Sequence, residues 1–237
     1  MKDPQSKEVK EIVVSEDDGI RANSNVASLA RLPPAFKKDG STTAGNSSQV
    51  CTLTKWCFDL RHEFLHQVTD GAAAVLLMTR REALRRQLGI LGTFRSFAAV
   101  GVDPAVMGIG PAVAIPEALR KASLSLNDID LFEINEAFAS QATYCVKKLG
   151  IDGRKVNVNG GAIALGHPLG MTGARCTATL LHEMKRHGHA MRFGVVSMCI
   201  GSGMGAAAVF ESDGDRDPFT NVSASRGQGS LSRDAIA

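Results

Sequence analysis

The sequence predicts an α/β fold, a layered sheet with helices packed against it, and three observations carry this. Short apolar runs at about 90–100, 131–134, 155–158, 192–199 and 204–210 alternate with helix-like segments, several of which end in glycine. The chain is 44% hydrophobic but only 5% aromatic, which suits a core of Val, Ile, Leu and Ala. Residues 157–173 hold five glycines in seventeen positions between a strand-like run and a helix, where α/β folds place their chemistry.

In chain order, residues 1–49 are polar and punctuated by Pro33-Pro34 and by the stretch from Gly40 to Ser48, so loops with at most short helices are expected. Asp70 to Met78 is a continuous apolar run and reads as a buried strand. Arg80 to Gln87 reads as a short charged helix ended by Gly89. A strand over Ile90 to Val100 follows, then a helix opened by Pro116 and running to Ser123. Leu131 to Ile134 is the next strand, followed by a helix from about Glu136 to Leu149 ended by Gly150. The last three strands fall at about 155–158, 192–199 and 204–210, with a long helix over 173–187 between the first two. The final two strands, joined by a tight glycine turn, are expected to be antiparallel neighbours. From Ser212 the composition shifts to Ser, Gly, Asp and Arg, so 213–237 is expected to be disordered.

A formal net charge of +3 without a Lys/Arg cluster gives no basis for nucleic-acid binding, and no run reaches the roughly 18 apolar residues of a membrane span. The five cysteines, 51, 57, 145, 176 and 199, include no C-x-x-C pair and accompany no secretory segment, which predicts free thiols in a reducing compartment. His62-Glu63-Phe64-Leu65-His66 is a literal H-E-x-x-H zinc pattern. No downstream histidine continuation completes it, and Glu82 is a poor third ligand on a different, short helix, so no metal is assigned.

Three stretches place polar or thiol groups where a strand ends in a turn. They are Asn135-Glu136-Ala137-Phe138, Gly166-His167-Pro168 and Cys199-Ile200-Gly201-Ser202-Gly203. In order and spacing they resemble the C-terminal signatures of the thiolase family, plant peroxisomal type, and upstream Thr43-Ala-Gly-Asn-Ser-Ser48 resembles the end of that family's loop domain. The resemblance implies five strands in one mixed sheet with helices on both faces over 90–211, half of a duplicated fold. It further implies that 1–49 is a remnant of the loop domain and that 68–89 is the last strand and helix of an N-terminal domain otherwise absent from this chain. Residues 50–67 interrupt the family pattern as an insertion, read as a retained intron, so that His62, Glu63 and His66 have no designed role.

The same resemblance implies acyl transfer between a 3-ketoacyl-CoA and CoA, with coenzyme A as co-substrate and no resident cofactor. By motif, Cys199 is the acid that protonates the acetyl-CoA enolate and later the base for CoA. His167 draws the proton from a nucleophilic cysteine and then faces the thioester oxygen. Asn135 holds a water in one oxyanion hole, the Gly201 N–H serves a second, and Ser48 lies against the pantetheine arm. Glu136 either titrates or orders the site. None of the five cysteines has the Cys-Ser-Ser-Gly-like flanks of the family nucleophile, so the chain is expected to carry the acid/base half of a site and to be inactive alone. Family resemblance also implies a homodimer, or pairing with intact subunits, and a peroxisomal location. A non-catalytic partner subunit, or a zinc hydrolase built on residues 62–66, are the alternatives.

Overall fold

The computed structural model describes residues 24–48 and 69–213 and divides into two compact units, 1–33 and 34–237. The first contributes one short helix, α1 (Val26–Leu29), capped by the Asn25 side chain on the Ser28 N–H at 2.9 Å. The H-E-x-x-H pattern, the whole 50–67 insertion and the tail beyond Asp213 lie outside the described residues.

The second unit is built on a four-stranded mixed sheet in the order β1-β4-β3-β2. Its strands are β1 (Gly92–Gly101), β2 (Leu131–Ile134), β3 (Phe193–Ile200) and β4 (Met204–Ser212). β1/β4 and β4/β3 are antiparallel, as the tight turn between the last two strands predicts, whereas β2 runs parallel to β3 with Ile134 opposite Ser197. Alternate side chains divide the sheet into two apolar faces. On one, Phe132, Ile134, Val195, Ala207 and Val209 pack with Ala114, Ile115, Ala118 and Leu119 of α3 (Gly110–Ala122) and with Val146 and Leu149 of α4 (Ala139–Leu149). On the other, Leu131, Val196 and Phe210 pack with Cys176, Leu180, Leu181 and Met184 of α6 (Thr172–His187). Helices therefore cover both faces.

Three expectations are corrected. The fifth strand, at 155–158, does not form. Val156 makes a single parallel bridge to Phe132, and Asn157 then turns left-handed at φ 47°. Its side chain replaces the missing strand, accepting from Ile134 N at 2.8 Å and donating to Ile134 O at 2.8 Å. Asp70 to Met78 is not a strand either; these residues are exposed and have no ladder partner among the described residues. The helix expected from Pro116 begins instead at Gly110 with Pro111 in its first turn, and Pro116 is carried inside it. Behind the apolar run, α2 (Arg80–Arg85) starts at the Thr79 cap and is tied to the end of β4 by an Arg80–Asp213 ion pair.

Candidate active site

β2 ends at Ile134, and Asn135 extends the ladder once more by donating its N–H to Ser197 O at 2.9 Å. Beyond it the chain bends at Ala137, and α4 starts only at Ala139, three residues later than the sequence suggests, with Phe138 extended at φ −143°. Two groups hold this short loop. Ser47 bridges Phe138, and Ser48 donates both its N–H (3.1 Å) and its Oγ–H (3.0 Å) to Ala137 O. Glu136 reaches the other way, accepting from Asn157 Nδ2 at 2.7 Å and from Ile163 N at 3.2 Å, at the start of α5 (Ala162–Leu165). The Glu136 carboxylate lies so close to Gly161 that any Cβ there would overlap it. Of the two readings for Glu136, the geometry supports the ordering one.

His167 sits in the loop between α5 and α6. Its Nδ1 is 2.6 Å from Thr172 Oγ1, in the first turn of α6, and the Thr172 hydroxyl donates its only proton to Pro168 O at 3.1 Å. Thr172 therefore accepts from Nδ1–H, which leaves the Nε2 lone pair free to accept the Asn135 Nδ2–H at 3.2 Å. Burial, with a smaller contribution from the Arg175 charge, holds the imidazole below its ordinary pKa, so it is neutral at pH 7. The row Asn135–His167–Thr172 is thus a neutral imidazole with a defined tautomer and a basic nitrogen aimed at the end of β2.

Cys199 lies near the end of β3, opposite Gly205 and two residues beyond the carbonyl that receives the Asn135 N–H. Because β2 and β3 are parallel, Asn135 and Cys199 occupy the same end of neighbouring strands. The thiol is partly exposed, and burial raises its pKa, so it holds its proton at neutral pH. Gly201 opens the turn to β4, and a Cβ there would meet nothing within 4 Å. Nothing in the described chain demands glycine at that point. Gly203 differs, with φ 92° and a Cβ position 2.9 Å from Pro104 N. His167 and Asn135 are joined directly, whereas Cys199, Gly201 and Ser48 share the strand-end region without bonding to either. Cys145 and Cys176 are fully buried, and burial pushes Cys176 up to about 12, which makes both inert thiols.

Thr172, Asn157 and Glu133 were not singled out by sequence reasoning. For Glu133 a signal existed, a carboxyl in the middle of the apolar run Leu131 to Ile134. Its side chain is buried against α6, where Oε2 accepts from the Arg175 guanidinium at 3.0 Å. Thr69 packs on the His167 loop from the other side, since a Cβ on Gly166 would come within 2.6 Å of its Oγ1. One apolar cleft of about 380 Å³ is lined by Val75, Leu77, Phe94, Phe97, Met198 and Phe210. Among the described residues no group of three or more His, Cys, Asp or Glu side chains could hold a metal, and no helix is long and apolar enough to cross a membrane.

Known proteins resemble this chain along most of its length. Residues 88–212 match the family described as thiolase, C-terminal domain, and residues 2–51 match thiolase, N-terminal domain. The chain is 63% identical over 233 residues to the peroxisomal 3-ketoacyl-CoA thiolase 1 of Petunia hybrida, covering 98% of this chain and 46% of that protein. Among solved structures, the dimeric peroxisomal thiolase of Saccharomyces cerevisiae superposes with a TM-score of 0.68 at 49% identity, over 84% of this chain and 45% of that one. The human mitochondrial 3-ketoacyl-CoA thiolase in complex with CoA gives a TM-score of 0.69 at 40% identity, over 84% and 45%. The chain spans about half the length of the curated relatives it matches. From the matched domains and the identity along nearly its whole length, the chain belongs to the thiolase family.

Proposed function

We propose that the chain supplies the acid/base half of a 3-ketoacyl-CoA thiolase site, in which a nucleophilic cysteine outside these 237 residues forms the acyl-enzyme. The observation that carries this is the row Asn135–His167–Thr172 at the end of β2, with the protonated thiol of Cys199 at the same end of the neighbouring strand β3. In the forward direction the nucleophilic thiol loses its proton to His167 Nε2 and its sulfur bonds to the keto carbon. The bond between Cα and that carbon then breaks, leaving an acyl thioester on the nucleophile and the enolate of acetyl-CoA. Cys199 donates its proton to that enolate carbon, and the resulting thiolate takes the proton of incoming CoA, whose sulfur bonds to the acyl carbon and displaces the nucleophilic cysteine, which recovers its proton from His167. A raised thiol pKa suits this exchange, because the proton stays on sulfur until a stronger base accepts it.

Asn135 Nδ2, through a water, and the Gly201 N–H are the donors assigned to the two developing oxyanions, and the open space before Gly201 leaves room for one. Ser48, tied to Ala137, is assigned to the pantetheine arm of a CoA substrate. The names of the relatives suggest a peroxisomal location and dimeric assembly for the functional unit. The test is thiolysis of acetoacetyl-CoA by the 237-residue chain alone and after co-expression with a thiolase N-terminal half. Turnover is expected only in the second case, and it should vanish with Cys199→Ala. Robust turnover by the chain alone, or turnover in the pair that survives Cys199→Ala, would overturn the assignment.

A further inference from the structure

Among the described residues three buried polar side-chain atoms find no hydrogen-bond partner, Glu133 Oε1, Asn135 Oδ1 and Gln141 Nε2. The first two belong to the same short stretch. Residues 133 and 135 are two apart at the end of β2, so their side chains leave the same face of the sheet, the one covered by α6. Each is already tied to α6 by its other polar atom. Asn135 Nδ2 reaches α6 through His167 and Thr172, and Glu133 Oε2 reaches Arg175. Thr172 and Arg175 are three residues apart, hence on one side of that helix. The result is two neighbouring rungs between β2 and α6, each with an orphaned oxygen facing a water-poor interior; Glu133 and Asn135 are 0% and 1% exposed.

Two acceptor oxygens on adjacent same-face positions leave two desolvation penalties uncompensated. A single proton on one of them removes both. Resting on the reading that His167 and Asn135 belong to the site, we propose that Glu133 is a positioning residue for His167: its carboxyl, oriented by Arg175, carries a proton on Oε1 and donates it to Asn135 Oδ1, which fixes the amide with Nδ2–H on His167 Nε2. The amide has only two orientations, and this donor selects the one that points Nδ2–H at the Nε2 lone pair left open by Thr172. Burial independently favours the neutral carboxyl, pushing Glu133 up to about 7 in spite of the Arg175 charge. The titratable and charged groups around it are Arg175 and Cys176 from α6 and Glu136 from the loop beyond β2.

The device is pH-sensitive. Above about pH 7 the carboxyl loses its proton, the donor to Asn135 disappears and the amide is free to turn. Glu133→Gln makes the donor permanent, since the amide can accept from Arg175 and donate to Asn135 at any pH. Glu133→Leu removes it at every pH.

The test follows ¹⁵N-histidine and ¹³C-carboxyl resonances of the full 237-residue chain from about pH 5.5 to 8.5. In the wild type His167 Nε2 should show its own protonation and a second step that coincides with titration of the Glu133 carboxyl near pH 7. Glu133→Gln should keep a dispersed spectrum and lose the second step, while Glu133→Leu should also lose it and hold the Nε2 shift throughout at the high-pH value of the wild type, with Thr172 still fixing the Nδ1–H tautomer. Should the leucine variant fail to fold, Asn135→Ala serves instead: without its acceptor the Glu133 carboxyl should titrate at lower pH. Identical His167 titrations in the wild type and Glu133→Gln, or a Glu133 carboxyl ionised across the whole range, would overturn the proposal. In the active pair Glu133→Leu should lower kcat by roughly 10²-fold with KM little changed, as expected of a misplaced base. Absence of thiolysis from the wild-type pair would refute the proposed function and leave the resonance result standing.

Discussion

Asn157 stands where a fifth strand would be, and its substitution has a calculable and unusual outcome. Alanine leaves Ile134 N and O, buried at the end of β2, without their partners at 2.8 Å, and deprives Glu136 of the donor at 2.7 Å. Two orphaned backbone groups cost about 3 kcal/mol together and the lost carboxylate bond about 1 kcal/mol. A left-handed φ of 47° adds about 1 kcal/mol for alanine relative to asparagine. Asn157→Ala should therefore cost about 5 kcal/mol, a large share of the 5–15 kcal/mol typical of a domain. Asn157→Gly, free of the backbone penalty, should cost about 4 kcal/mol.

The near-isosteric Asn157→Asp is the informative variant. One oxygen still accepts from Ile134 N, but the other replaces a donor that faces both Ile134 O and the Glu136 carboxylate. It should be the least stable of the three at pH 8 and should recover as the pH falls toward about 5, because protonation restores a donor. Urea unfolding followed by far-ultraviolet circular dichroism at the two pH values gives the ranking. An aspartate variant whose stability ignores pH, or an alanine variant costing under about 1 kcal/mol, would show that the side chain does not stand in for a strand.

Other consequences can be checked with the same assays. Glu133 has a folded-state pKa raised from 4.5 to about 7, so the folded state binds the extra proton and the contribution of Glu133 to stability falls as pH rises through that window. Relative to the wild type, Glu133→Gln should gain about 3 kcal/mol between pH 4.5 and 8, and no relative gain would mean that the carboxyl is ionised at little cost. Gly205→Ala should destabilise by about 2 kcal/mol or more, since its Cβ would overlap the Gly110 carbonyl where α3 meets β4, whereas Gly201→Ala should leave the melting temperature unchanged. If Gly201 serves an oxyanion, that same alanine should still lower thiolysis in the active pair by about 10²-fold.

Much of the sheet was legible because its strands are bounded by groups that cannot lie inside it. Leu131 to Ile134 is set off by Asp130 and Asn135, and the structure places the strand over those four residues. The long helix was placed to within one residue by its apolar period and by Gly188. The misses have physical causes. The run from Asp70 to Met78 is apolar enough for a buried strand, but apolarity alone does not supply a ladder partner. The 155–158 run failed because a side chain, invisible to periodicity, took over the pairing at Ile134. In the site, the motifs pointed to Asn135, His167 and Cys199. Thr172 read only as a loop residue ahead of the expected helix, and its bond to His167 depends on the path of the loop that joins them. Glu133 was not singled out, because a carboxyl inside an apolar run indicates no partner until its place opposite Arg175 is known.

The pairing order of the sheet bears on how the chain is made. β1 is joined only to β4 within the sheet, with Gly92 opposite Ser212, so the first strand synthesised waits for the last. At typical elongation rates of about 5–20 residues per second that wait is on the order of ten seconds. During it Phe94 and Phe97 and the apolar residues from Val75 to Met78 leave the ribosome with no sheet to join. Nascent chains stalled before Met204 should therefore recruit holdase chaperones, and those extended past Ser212 should release them, so that completion of β4 sets the moment of commitment to the fold.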